Sequence, residues 1–323
     1  MSETAAAQAA SAGWAESHPH LGLFIGLIVL LAGLAAFDFL TRAGTIARAT
    51  WKESLRQPVF GMILAVGLLI ELTNFYIPFF AMGDETKMFI DCGLSTILIC
   101  CLLFAAWTAS TTVAEEIEGK TAMTLLSKPI NRRQFITGKY FGILQGVLTM
   151  LLILGAVMYV ATYFKFGYDY REGGKGTLEL VNYVEGSRIP HLEPQRLDAA
   201  NKILAGLSLI FMEAALLGAV SVAVSTRLPM LPNIVVCFAV FVVGHLTPVL
   251  VMSRFRDIEF VKFFANLLAT FLPALDNLNM SAAIATDKAI SLNYVGLNAA
   301  YTVAYVAAAI FVAFILFEDR DLA

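Results

Sequence analysis

The side chains of this sequence best placed for chemistry lie together. Glu115, Glu116 and Glu118 lead into Gly119-Lys120-Thr121, and residues 114–121 miss the phosphate-loop pattern G-x-x-x-x-G-K-[ST] only because Ala114 stands at the first glycine. Such a loop works by aiming backbone N–H groups at phosphate from the end of a strand. Here an apolar run precedes it and three carboxylates would repel the ligand, so no nucleotide site is expected in this chain. The four histidines (His18, His20, His191, His245) are scattered without metal or catalytic spacing. The four cysteines (Cys92, Cys100, Cys101, Cys237) lie in or beside apolar runs and read as small packing residues. No catalytic residue, metal site or cofactor is expected; the chain does not read as an enzyme.

Glu71, Glu213 and His245 lie deep in apolar runs. An ionisable group at mid-bilayer costs roughly 2.5–3.5 kcal/mol on insertion scales, so it faces other helices and finds a partner there. Either the three line a substrate or proton path, or each makes a helix–helix hydrogen bond with any carboxyl kept neutral. The second is the simpler reading, because they form no cluster in sequence.

The elements that must hold these groups are membrane helices. Of 323 residues, 59% are hydrophobic and 15% charged, against about 25% charged in soluble domains; mean hydropathy is +0.75. A net charge of −3 offers no surface for nucleic acid. Residues 1–20 form an Ala-rich polar tail without Lys or Arg, and so lack the basic start of a secretory signal. The run 21–40 is therefore expected to be a retained span, with Gly22 and Gly26 spaced for close helix contact. In 41–58 an apolar row (Ala43, Ala47, Trp51, Leu55) runs beside a basic row (Arg48, Lys52, Arg56). This predicts an amphipathic interfacial helix with its cations toward anionic lipid, ended by Gln57-Pro58.

Further spans are predicted over 59–81, 88–113, 133–166 (apolar from Phe141), 203–225, 231–252 and 294–317. With 21–40 these make seven. The run 263–275, broken by Pro273, is too short to cross and reads as re-entrant or interfacial. Residues 167–201 form a long connection in which 178–184 alternates weakly, as a strand would. Gly138, Gly142 and Gly146 form a ladder that lets another helix approach closely. Cations are equally numerous on the two sides, but they crowd the segments after the first and third spans. This favours an outside N-terminus and a cytoplasmic C-terminus.

Read whole, the polar stretch resembles the signature of the membrane subunits of type-2 ABC exporters. The residues that carry it are Glu115-Glu116, Glu118-Gly119-Lys120-Thr121, Leu126-Ser127-Lys128-Pro129, Arg132-Arg133 and Gly138-Lys139. The amphipathic helix before Pro58, the Leu272-Pro273 region and the ending Phe317-Glu318-Asp319-Arg320-Asp321 are similar to other parts of that family, so the resemblance covers roughly residues 42–323. It implies an all-α polytopic bundle on the six-span type-2 ABC permease plan, occupying 59–323, with one extra N-terminal span at 21–40. The cytoplasmic coupling segment would be 114–139, the outer loop 167–201 and the re-entrant outer region 260–290.

By the same resemblance, two permease copies or related chains pair in a bacterial or archaeal cytoplasmic membrane. A separate ATPase, which binds ATP and Mg, docks beneath them. In this chain Glu115, Glu116 and Glu118 would offer it charge and Met123, Leu125 and Leu126 an apolar anchor around Gly119, Lys120 and Thr121. Lys128, Arg132 and Arg133 suit either the ATPase or lipid headgroups. Two other functions fit the sequence: ATP-driven mechanical coupling to an extracytoplasmic partner through 167–201, and proton-coupled secondary transport through Glu71, Glu213 and His245.

Overall fold

The computed structural model describes residues 19–77, 85–118, 131–174, 176–183, 190–252, 263, 272–286, 288 and 290–318. Among these the chain is a polytopic helix bundle. In order it forms α1 (Pro19–Leu40), α2 (Arg42–Arg56), α3 (Pro58–Tyr76), α4 (Glu85–Ala109), a π-helical turn (Ser110–Ala114) and α5 (Glu115–Glu118). Then come α6 (Arg132–Glu172), the strands β1 (Val181–Tyr183) and β2 (Pro190–Leu192), α7 (Pro194–Ser225) and α8 (Met230–Met252). A 3-10 turn (Leu275–Leu278), α9 (Ser281–Ala285) and α10 (Leu292–Glu318) complete the chain. Among the described residues six helical stretches are long and apolar enough to cross a membrane: His20–Leu40, Pro58–Tyr76, Glu85–Ile117, Arg132–Glu172, Pro194–Ser225 and Leu292–Glu318. The seventh expected span, 231–252, falls on α8, whose described apolar stretch, Met230–Leu246, is shorter than these six.

α4, α6 and α7 form the centre. Phe89, Ile97 and Phe104 of α4, Ile143, Met150 and Leu154 of α6 and Ile203 of α7 are all buried in one cluster. α1, α3, α8 and α10 surround them and turn large apolar side chains outward, among them Ile28, Leu69, Val235 and Val303. In lipid such exposure costs nothing. Association must then come from close packing and polar contacts rather than hydrophobic burial.

The contact between α2 and α6 shows this best. α2 runs beside the start of α6, and the glycine ladder is where it lies. A Cβ on Gly138 would come within 2.6 Å of the Ala43 carbonyl oxygen, one on Gly142 within 2.6 Å of Thr50 Cβ, and one on Gly146 within 3.1 Å of Ser54 Oγ and 2.9 Å of Phe104 of α4. The buried face of α2 is Ala43, Gly44, Ala47, Thr50 and Ser54, which differs from the expected row of Ala43, Ala47, Trp51 and Leu55. Small residues win because the approach to the glycines leaves no room for larger ones. Trp51 sits at the edge and donates its indole N–H to Thr149 Oγ1 at 3.1 Å. Arg42, Lys52 and Arg56 remain exposed. Thr41 caps α2 by accepting from the Gly44 N–H at 2.9 Å. The elbow back to α1 is so tight that a Cβ on Gly44 would meet the Phe37 carbonyl oxygen. Of the pair on α1, Gly22 packs on Leu292 while Gly26 has nothing within 4 Å.

At the end of the bundle away from Glu115, α6 and α7 extend beyond the expected 133–166 and 203–225, and the connection contracts from 167–201 to 173–193. Partnered polar groups sustain these extensions. Lys165 Nζ lies 2.8 Å from Glu85 Oε2, both almost fully buried, and donates to the Phe75 carbonyl at 3.4 Å. Thr86 Oγ1 donates to Asp169 Oδ2 at 3.0 Å. Arg196 donates to the Leu178 carbonyl at 2.6 Å and crosses so close to Gly167 that any side chain there would overlap its guanidinium. Pro194 opens α7, where its missing N–H is no loss. β1 and β2 pair antiparallel, with Asn182 opposite His191.

Residues 253–262 and 264–271, which hold much of the expected re-entrant piece, lie outside the described residues. Its continuation does re-enter the bundle: Leu275 and Leu278 are buried, Leu275 packs on Gly244 of α8, and the Ala274 N–H donates to Tyr301 Oη at 2.9 Å.

Candidate functional site

The polar stretch begins where α4 loses its regular winding. Ser110 Oγ donates to the Ala106 carbonyl at 2.8 Å and Thr112 Oγ1 to the Thr108 carbonyl at 2.7 Å. Hydroxyls that bond back to the preceding turn bend and loosen a helix, and here the chain adopts one π-helical turn before α5. That turn is tied to its surroundings. Asn233 of α8, fully buried, donates to Ser110 Oγ at 2.8 Å and to Ser221 Oγ of α7 at 3.0 Å. Gln57, at the end of α2, donates to Thr111 Oγ1 at 3.2 Å. One polar knot thus joins α2, α4, α7 and α8 directly above the acidic residues. Asn233→Leu is expected to leave two serine hydroxyls without this partner and cost about 2 kcal/mol, at ~1 kcal/mol per lost hydrogen bond. A lowered thermal midpoint of the purified chain in detergent would show it.

On α5, Glu115 is exposed. Glu116 is turned inward and pairs with Lys139 of α6, Oε1 to Nζ 2.6 Å, with the lysine almost fully buried. Glu118 ends the described segment. Residues 119–130 lie outside the described residues, so Gly119, Lys120, Thr121, Met123, Leu125, Leu126 and Lys128 have no described position. The stretch resumes at Asn131, whose backbone N–H donates to Gln134 Oε1 at 3.3 Å at the start of α6. Arg132 turns to the end of α10 and donates to the carbonyls of Phe317 at 3.2 Å and Glu318 at 3.0 Å. It thereby satisfies the terminal carbonyls and places a cation at the negative end of the helix. Arg133 lies 3.9 Å from Glu318 with both side chains well exposed, a contact worth little. Both flanks of 119–130 are therefore fastened: α5 to α6 through Lys139, and the start of α6 to α10 through Arg132.

Glu213 and His245, far apart in sequence, come together. His245 Nε2 of α8 lies 3.5 Å from Glu213 Oε1 of α7, beside a cavity of about 10 Å³ lined also by Ser95, Asn279 and Ser281. Glu71 stands apart on α3, fully buried next to Cys100 of α4, and among the described residues neither of its carboxyl oxygens has a hydrogen-bond partner. The expected trio is one pair and one isolated carboxyl. Sequence reasoning passed over Asp38, which is buried and accepts from Gln145 Nε2 at 2.9 Å; a charged residue at the end of an apolar run was the available signal. It also passed over Asn233 and Lys165, and it named Lys139 without its partner Glu116; the partners of all three lie on other helices.

A family model for ABC-2 family transporter proteins matches residues 4–322, nearly the whole chain. The chain belongs to the ABC-2 transporter family. No curated protein matches it. Membership makes this multi-pass membrane protein a permease subunit of an ABC transporter and implies pairing with an ATP-binding subunit. In this ABC-2 permease the turn ahead of Glu115 is hydrogen-bonded directly to α8 and to the end of α2, and through Asn233 to α7.

Proposed function

We propose that this ABC-2 protein is the pathway-forming subunit of an ATP-driven exporter, with a separate ATPase docking on residues 114–139. A second permease copy, identical or related, completes the pathway. What chiefly supports this reading is the family match taken with the exposed Glu115 on a short helix whose π turn is bonded to α8 and to the end of α2, and through Asn233 to α7. ATP and Mg belong to the partner subunit, which closes on the segment and shifts the bundle between two states according to its differential affinity for them. The N-terminus lies outside and the C-terminus in the cytoplasm, in keeping with the basic residues Arg42, Lys52, Arg56 and Arg133, exposed at the Glu115 end. Arg42, Lys52 and Arg56 meet anionic lipid, and the hairpin-bearing outer segment is available to an extracytoplasmic partner.

The test is a mild-detergent pull-down of tagged chain, comparing wild type with Glu115→Lys. Wild type is expected to bring down an ATP-binding subunit. The variant should insert normally, lose that subunit and lose ATP-dependent efflux. Retention of the ATPase and of efflux by the variant would count against docking at this segment. ATP turnover by the chain alone would overturn the division of labour.

A further inference from the structure

The contact between Glu213 and His245 is built so that it must carry a proton. Glu213 is fully buried, and neither carboxyl oxygen has a hydrogen-bond partner among the described residues. The group that faces it is the His245 Nε2. The other ring nitrogen is already committed: Nδ1 lies 3.0 Å from the carbonyl oxygen of Phe241, which can only accept, so Nδ1 carries a hydrogen. A neutral imidazole protonated there presents a bare lone pair at Nε2. Without a further proton, two acceptors would face each other in an apolar interior.

One proton resolves this in either of two ways. Glu213 as a carboxylic acid donates to Nε2, or His245 as an imidazolium donates to the carboxylate. Both forms leave the pair with no net charge. A second proton would place an imidazolium beside a neutral acid, and loss of the first would leave a carboxylate facing a lone pair. Each puts one uncompensated charge among apolar side chains. Among the described residues no neighbouring group relieves this. The cavity beside Glu213 is lined by Ser95 and leucines from α4 and by Asn279 and Ser281 ahead of and within α9, none of which titrates. On α4 the ionisable groups flanking these residues, Asp91, Cys92, Cys100 and Cys101, do not line it. Tyr301 and Tyr305 of α10 pack with the cluster containing Leu209 and Leu216. On α6, Tyr140 donates to the Ala215 carbonyl and Tyr159 to Asn201. Asp38 of α1 is held by Gln145. A metal ion would need more ligands than these two, and among the described residues no third His, Cys, Asp or Glu joins them.

We propose that Glu213 and His245 together form a proton-binding site in the membrane domain, holding one exchangeable proton between α7 and α8. His245 is the less enclosed partner, its side chain keeping 20% of its surface exposed while that of Glu213 keeps none. The proton is retained while α7, α8 and the turn at Leu275–Leu278 are packed. The cavity is at the lower limit for a single water, so parting these elements admits solvent, stabilises the free carboxylate and lets the proton leave. A cycle that rocks α8 against α7 therefore exchanges a proton with the side that opens.

The proposal concerns the chain by itself and stands whether or not an ATPase docks at Glu115. The full-length chain in lipid nanodiscs is followed by infrared difference spectroscopy across a pH titration, with Glu213 assigned by Glu213→Gln and the His245 ring state read by nitrogen-15 NMR. At neutral pH the expected result is one proton on the pair: Glu213 protonated beside a neutral ring, or Glu213 ionised beside an imidazolium. His245→Asn and His245→Gln should each shift the Glu213 titration by about tenfold or more in proton affinity, one pH unit. Glu71→Gln should leave it in place. An ionised Glu213 beside a neutral His245, or a Glu213 titration that both histidine variants leave unmoved, overturns the proposal.

Discussion

Gly142→Leu is expected to prevent the folded state from forming, and Gly142→Ala to weaken it. A Cβ at this position would stand 2.6 Å from Thr50 Cβ and 2.7 Å from the Ala47 carbonyl oxygen. Neither neighbour is the flexible tip of a long side chain. Even alanine must therefore push α2 away from α6, and overpacking of this kind typically costs about 1–3 kcal/mol. Leucine cannot be accommodated at all. Because lipid supplies no hydrophobic force to hold α2 in place, the small-residue contact has no substitute. Size-exclusion profiles and thermal midpoints in detergent read the effect. Gly61→Ala and Gly296→Ala, where nothing lies within 4 Å, serve as neutral controls. A Gly142→Leu protein as monodisperse and heat-resistant as the controls would show that α2 does not depend on this contact.

Lys139→Met should be the next most damaging change. It removes the cation from a pair in which the lysine is almost fully buried and Glu116 is about a fifth exposed. Breaking a buried pair from one side leaves its partner desolvated and uncompensated, at a cost of about 3–5 kcal/mol for fully buried pairs. The residual exposure of Glu116 places the expectation near the lower end, about 3 kcal/mol. Replacing both partners by apolar residues should recover most of the loss, because a buried pair contributes little net stability over well-packed apolar side chains. A double-mutant cycle on thermal midpoints, with Glu116→Leu as the second change, measures the coupling. Additive effects would mean that the pair does not hold α5 to α6. Glu115→Lys, one residue away but exposed, should leave the thermal midpoint unchanged while altering partner binding, so fold and docking can be separated at adjacent positions.

These two expectations differ in how far the sequence could carry them. The glycines at 138, 142 and 146 predict close approach by some helix, because a fourfold spacing puts them on one face. That the helix is α2, lying on it through Ala43, Ala47, Thr50 and Ser54, could not be read, since a row of small and hydroxyl residues looks less apolar than the Ala43–Leu55 row beside it. Lys139 is legible only as a cation next to a glycine. Its pairing with Glu116 needs α4 and α6 to run antiparallel, so that residues far apart in the chain reach the same level.

By itself the sequence determined the class of protein, a polytopic bundle of apolar helices. Long apolar runs have one physical solution in lipid, where every backbone group must be bonded within its own helix. The polar stretch from Glu115 to Lys139 likewise marked its family without reference to any contact. Only the tertiary structure decided which polar side chains meet. It split Glu71 from Glu213 and His245, drew Asn233 onto the π turn and turned Arg132 to the end of α10. Partners of this kind are set by helix rotation and level, and periodicity along one helix holds no record of the rotation of its neighbour. The acidic stretch could be found by spacing, while the side chains that hold the turn ahead of it could be found only from the packing of α2, α7 and α8 around Ser110.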